Sequence, residues 1–172
     1  MQHIQPDLDA AMMSYKRWLT GLYFAVCALS SVSALACIEQ ASQKFQVPAA
    51  LLFAIAEQES GHNPRALNIN ANGSRDIGLM QINSSWLPTL RRHGLSEQDL
   101  WDPCVNTMVA AWLLADNFRR WGYTYRALGA YHSPDNQRQY AYALRVLQRV
   151  QSKERKRKHD VPLAYPPNDG GR

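Results

Sequence analysis

Apolar residues recur every three or four positions along most of the chain after residue 37, the period of amphipathic helices rather than of strands. Ile38 to Phe45 predicts a first helix. Pro48 suits the opening turn of a second, which runs to Gly61, a natural stop. In that second helix Leu52, Ile55, Ala56 and Glu59 fall at i, i+3, i+4 and i+7, so a carboxylate closes an apolar stripe. Glu57 lies about 200° around the helix from Glu59 and is expected to face solvent. An acid on a desolvated face near the negative end of a helix dipole should have a raised pKa, which is what a general acid at neutral pH requires. The plainer alternative is a partly buried Glu in a structural network.

The period loosens after residue 67. Asn68 to Ser74 is polar, with Asn72-Gly73 as a turn signal, and Asp76 to Asn83 fits either a short strand or a helix start. Helical spacing then returns over Ser85 to Arg92, in a brief helix capped by Ser96, and in a long one opened by Asp102-Pro103 that carries Val105, Met108, Val109, Trp112 and Leu113 on to Trp121. Tyr125 to Tyr131 predicts another helix, and Ser133-Pro134 opens the last, through Tyr142, Val146 and Val150. No internal repeat is present. The result is a mainly α single domain over 37–152 with at most a small β-hairpin near 68–83.

Composition changes this picture at the two ends. Among 172 residues the formal charge is +5, and a net four of those charges sit between Lys153 and Lys158; with the Pro- and Gly-rich end, 153–172 reads as a disordered basic tail. The body of the domain is near neutral, and the basic run lacks interleaved aromatics, so a nucleic-acid partner is not expected. At the other end Lys16 and Arg17 precede the apolar run Trp18 to Leu29, followed by Ala34-Leu35-Ala36. That is a secretory signal over 1–36, with cleavage after Ala36 and an apolar core too short for a stable membrane anchor. The polar residues ahead of it, with Asp7 and Asp9, point to a true start at Met12 or Met13. Export removes Cys27 and leaves Cys37 and Cys104 as an even pair in an oxidising compartment, where a disulfide is expected. No CxxC spacing with nearby histidines exists, so neither a metal nor another cofactor is called for.

Five spaced elements point to a family. Ala54-Ile55-Ala56 ahead of Glu59-Ser60-Gly61, Asn63-Pro64, Gly78-Leu79-Met80-Gln81, Ala130-Tyr131, and Tyr142 ahead of Val146 follow one another over roughly Cys37 to Val150. In this the chain resembles the soluble lytic transglycosylase domain, of the small exported kind associated with secretion, conjugation and pilus systems, within the lysozyme-like superfamily. The pair Cys37 and Cys104 resembles the bridged cysteines of that subgroup. A second resemblance, to c-type lysozyme, runs through Glu59-Ser60, Asn72-Gly73-Ser74, Asp76, Gly78, Gln81-Ile82-Asn83-Ser84 and Trp86, with an interval of 17 from Glu59 to Asp76.

The first resemblance implies a periplasmic, monomeric enzyme that acts on peptidoglycan strands and partners a secretion, conjugation or pilus machine. It implies Glu59 as both acid and base, Ser60 supporting the acid's helix end, Gly78 letting the chain approach sugar, and Met80 and Gln81 lining the cleft. Tyr131 would bond near Glu59 or the substrate's acetamido group. Tyr142 is the late tyrosine, with Tyr140 as the fallback. His132 stands where the family has Asn, and Trp86 and His62 are candidates for stacking on sugar rings or for plain packing. The second resemblance leaves Asp76 open as a second carboxylate and lysozyme-type hydrolysis as the rival chemistry. A non-catalytic glycan-binding assembly factor, docked through its basic tail, is the rival from outside enzymology; an intact Glu59 argues against it.

Overall fold

In the computed structural model, residues 34–160 are described, so the expected signal segment and the Pro- and Gly-rich end lie almost wholly outside the described residues. Helices α1 (Ala34–Phe45) and α2 (Ala49–Ser60) come first. Strands β1 (Leu67–Ile69), β2 (Arg75–Ile77) and β3 (Ile82–Asn83) follow, then a 3-10 turn and α3 (Leu87–Arg92), a second 3-10 turn (Gln98–Trp101), α4 (Pro103–Trp121), α5 (Tyr125–Gly129) and α6 (Asn136–Asp160). None of the described helices is long and apolar enough to cross a membrane.

α4 is the axis of the domain. Every residue from Cys104 to Ala115 is buried, so the helix has no wet face until its last turns. Asp102 caps it by accepting from the N–H groups of Cys104 and Val105, with Pro103 in the first turn. Cys37 of α1 is bonded to Cys104 at its start. The chain-entropy argument puts such a tie at about 4 to 5 kcal/mol. α1 and α5 pack on α4, and α6 packs on both α2 and α5. The α5–α6 crossing depends on Gly129, where a Cβ would collide with the backbone of Gln139.

The sheet is antiparallel in the order β1-β2-β3, with Asn68 opposite Asp76 and Asp76 opposite Asn83. The expected hairpin therefore gains a third strand, and the ambiguous stretch 76–83 resolves into β2, a tight turn and β3. Gly73 (φ 80°) turns β1 into β2, the conformation its missing Cβ allows.

Two expectations change in the last helix. α6 starts at Asn136 rather than at Ser133-Pro134, because Asp135 accepts from the N–H of Arg138 at 2.9 Å and serves as its cap. At its far end α6 runs to Asp160, so residues 153–160 are helical rather than a disordered tail. Lys, Arg, Gln and Glu are good helix formers, and Lys153 ties the helix back to Glu57 at 2.7 Å. Glu57 stands on the outer, partly exposed face of its helix as expected, and there it meets Arg149 at 3.1 Å as well.

Candidate active site

The apolar stripe of α2 sits as its spacing predicts, with Leu52, Ile55 and Ala56 fully buried. One turn on, Gly61 (φ 60°) ends the helix and sends its N–H back to the carbonyl of Glu57. Glu59 is thus held at the edge of the core, facing a cleft of about 1200 Å³ between the sheet and the α4–α6 end of the domain. Tyr142, buried in α6, donates its hydroxyl to Glu59 Oε1 at 2.5 Å. No described residue bonds to Oε2, which leaves that oxygen as the one able to carry a proton toward the cleft.

Burial pushes the Glu59 carboxyl up to about 7, and the charge of Asp76 adds to this; the Tyr142 hydrogen bond and the Arg145 charge oppose it. Near neutral pH the group is divided between acid and carboxylate, the condition for giving a proton in one step and taking one in the next. The Tyr142 phenol is held well above its usual range, first by burial and then by Glu59, so it remains a donor.

Asp76 lines the same cleft, but both of its oxygens are occupied. Asn83 donates to Oδ1 at 2.6 Å, while Asn68 and Asn70 donate to Oδ2 at 3.2 and 3.0 Å. The expectation left a choice between a catalytic partner and a loop strut bonded to backbone. The structure has a strut bonded instead to side-chain amides, which ties the three strands together. Three amides thus use three of the roughly four acceptor sites of this carboxylate and hold it in place as an anion.

The 78–81 turn forms the floor next to Glu59. Ser60 Oγ donates to the carbonyl of Leu79 at 2.6 Å, so it does hold the acid's helix end, by lashing it to this turn. Gln81 lines the cleft in a left-handed backbone (φ 51°) and donates its amide to the carbonyls of Gly78 and Ala66. Gly78 and Met80 do otherwise than expected. Gly78 is buried, and a Cβ there would meet Asn106 Nδ2 and the Leu100 carbonyl at 2.7 Å, so its bareness makes room for protein rather than for sugar. The Met80 side chain is fully buried in the core rather than lining the cleft. Tyr131 donates to the Met80 carbonyl at 2.7 Å instead of to Glu59.

Asn106 was not singled out in the sequence. It is fully buried in α4, accepts from Met80 N–H at 2.7 Å, and donates to the carbonyls of Ile77 and Leu100 at 2.9 and 2.8 Å. The signal was available: an Asn within an otherwise apolar helix must find partners. Asn68 and Asn70 likewise read in the sequence only as ordinary loop polarity.

His132 lines the cleft and stacks on Tyr142 with centroids 4.7 Å apart and planes 5° from parallel. Burial and the neighbouring Arg145 hold its pKa below the usual value. Trp86 also lines the cleft, edge-on to Trp112 at 6.3 Å. His62 packs on Phe53 at 4.3 Å outside the cleft, and Tyr140 contacts Tyr125 rather than Glu59. Among the described residues no cluster of His, Cys, Asp or Glu could hold a metal ion.

Comparison with known proteins agrees with this arrangement. The family model described as Transglycosylase SLT domain matches residues 36–157. The Invasion protein IagB of Salmonella typhimurium (strain SL1344) is 44% identical over 98 residues, which is 56% of this chain and 61% of that protein. Protein IpgF of Shigella flexneri is 38% identical over 113 residues, 65% of this chain and 74% of that protein. In structure, an inactive mutant of lytic transglycosylase Slt from Pseudomonas aeruginosa matches 86% of this chain and 30% of its own, with a TM-score of 0.59 at 19% identity. That likeness concerns the fold.

Proposed function

The chain belongs to the transglycosylase SLT domain family, and on that premise we propose that it is a peptidoglycan lytic transglycosylase. The observation that carries this reading is a single desolvated acid, Glu59, oriented by Tyr142 in a cleft whose other carboxylate, Asp76, is already engaged by amides. Glu59 protonates the glycosidic oxygen between N-acetylmuramic acid and N-acetylglucosamine, and the bond from muramic C1 to that oxygen breaks. The acetamido oxygen of the same sugar closes on C1 from the opposite face, so no enzymic nucleophile is used. The Glu59 carboxylate then takes the proton of the 6-hydroxyl, whose oxygen displaces the acetamido oxygen at C1 and leaves a 1,6-anhydro ring. Water is not consumed, and Glu59 ends as it began.

Gln81 and His132 line the path of the glycan, and the Ser60 and Tyr131 bonds keep the 78–81 turn from drifting away from the acid. Mass spectrometry of sacculi digested by the purified protein tests the reaction. Abundant 1,6-anhydromuramoyl ends are the expected result. Reducing ends alone would transfer the chemistry to a lysozyme-type hydrolysis with Asp76 as the second carboxylate, a rival supported by Asp76 lining the same cleft.

The protein's role is to open the wall locally for a secretion, conjugation or pilus apparatus after export to the periplasm through the segment 1–36. Support comes from a relative named as an invasion protein and from the signal pattern in the sequence. The match covers only 61% of the length of that relative. Deletion of the gene should reduce apparatus assembly, and wild-type protein but not Glu59→Gln should restore it.

A further inference from the structure

Beyond Trp121 the cleft continues into a second hollow of about 380 Å³, which shares Arg126, Asn136 and Gln139 with the first and adds Tyr125 and Tyr140. The two tyrosines are 47% and 55% exposed, and their rings lie 5.2 Å apart at 56°. Packing alone does not require two such rings at the surface. Arg126 has its guanidinium 5.0 Å over the Trp121 ring. Some arginines of the domain are paired, Arg75 with Glu97, Arg119 and Arg120 with Asp116, Arg149 with Glu57, and others among the described residues, such as Arg65, Arg91, Arg92 and Arg145, are not, but those lie outside the lining of the cleft. Arg126 has no carboxylate partner among the described residues, and neither has Arg138, which also lines the cleft. The sheet end of the cleft carries Asp76 and its asparagines, whereas this end carries unpaired cations, so the groove is polarised along its length.

A guanidinium over an indole face, with no carboxylate to satisfy it, keeps a fork of N–H groups for a planar anion. Exposed tyrosine rings beside it present flat apolar faces of the kind that sugar C–H groups cover. We propose that this hollow is a distal subsite that takes a carboxylate-bearing sugar unit of the glycan strand, with Arg126 as the bidentate donor and Tyr125 and Tyr140 as the stacking platform. The proposal rests on the peptidoglycan reading and narrows it: the enzyme recognises charge on the strand some distance from the bond it cuts. The carboxylate has two sources, the lactyl group of a muramic acid stripped of peptide, or the side chains and terminus of an attached stem peptide.

Binding is measured in the Glu59→Gln protein, so that nothing turns over, with three probes: neutral chitohexaose, amidase-stripped muramic oligomers and peptide-bearing muramic oligomers. Adding Arg126→Gln should weaken one or both carboxylate-bearing probes about tenfold, the scale of one charged hydrogen-bonded pair, and leave chitohexaose unchanged. The probe that loses affinity names the source. Adding Tyr140→Ala instead should weaken all three, because stacking does not depend on charge. Equal losses for all probes with Arg126→Gln, or no loss with any, overturn the subsite. Failure of the wild-type protein to cut sacculi would remove the underlying function as well, whereas normal cutting with an indifferent Arg126 removes the subsite alone. Arg126 is exposed, and the melting temperature of each variant reports directly on whether its fold is intact.

Discussion

Glu57 and Glu59 stand two residues apart on α2, and both meet α6, yet they end in opposite electrostatic states. Lys153 and Arg149 surround Glu57 and hold its carboxyl below the usual value, Lys153 first. Burial dominates at Glu59 and lifts it to about 7, against the Tyr142 hydroxyl and a weaker pull from the Arg145 charge. The chemistry of the acid is therefore set less by the helix that carries it than by what the opposing helix offers at each turn: cations seven and more residues beyond Tyr142, a phenol at Tyr142 itself. One carboxylate is a bracket and the other a proton donor.

The contrast breaks most completely with Glu59→Gln, which should lower sacculus cleavage by about a thousandfold, because both proton transfers lose their carrier. Its stability should move the other way. The folded-state pKa is raised from 4.5 to about 7, so the stabilising proton is fully held below pH 4.5 and lost as pH climbs through 7. The Gln variant escapes that loss, and by pH 8 should be more stable than wild type by up to about 3 kcal/mol in urea unfolding. No gain at pH 8 would mean that Glu59 is not desolvated. Tyr142→Phe comes next. Its hydroxyl lowers the Glu59 pKa, so removing it should shift the alkaline limb of kcat/KM to higher pH and cut the rate at pH 6 about tenfold through lost orientation.

Asp76→Asn sharpens the comparison from the cleft side. The Asp76 charge raises the Glu59 pKa, so its removal should move the same limb to lower pH while activity stays within about tenfold of wild type. A loss like that of Glu59→Gln would instead make Asp76 a reaction partner. The smallest effect belongs to Glu57→Gln, which should leave cleavage unchanged and cost about 0.5 kcal/mol at pH 7, the scale of a half-exposed ion pair. The sign with pH is again opposite: the Glu57 contribution is present above 4.5 and fades as pH falls through its depressed value.

What could be read in advance followed the range of the interactions. The stripe ending in Glu59, the cap at Asp102-Pro103 and the turn at Asn72-Gly73 are local, and each stands where the spacing put it. A helical wheel puts Glu57 on the outer face of α2 but does not show the Arg149 and Lys153 that arrive there from α6. Composition likewise reads 153–160 as part of a tail, because it does not reveal that Lys153 is tied to α2. Gly78 and Met80 looked like cleft residues because their motif is a cleft motif. Their backbone is pinned against Asn106, 26 residues beyond Met80, and no local pattern announces that contact. The resemblance singles out Tyr142 only as the late tyrosine and puts Tyr131 near the acid; in the structure it is the Tyr142 hydroxyl that meets Glu59.

Asn106 also bears on how the domain assembles. Its amide joins the end of β2, the turn after it and the second 3-10 turn to the central helix, and each partner is a backbone group with no substitute at hand. These bonds cannot form until all of those segments have met, and unmade they would strand buried polar groups at once. The floor beside Glu59 is thus tied to the central helix through one side chain, and loosening that residue loosens strand, turn and cleft floor together.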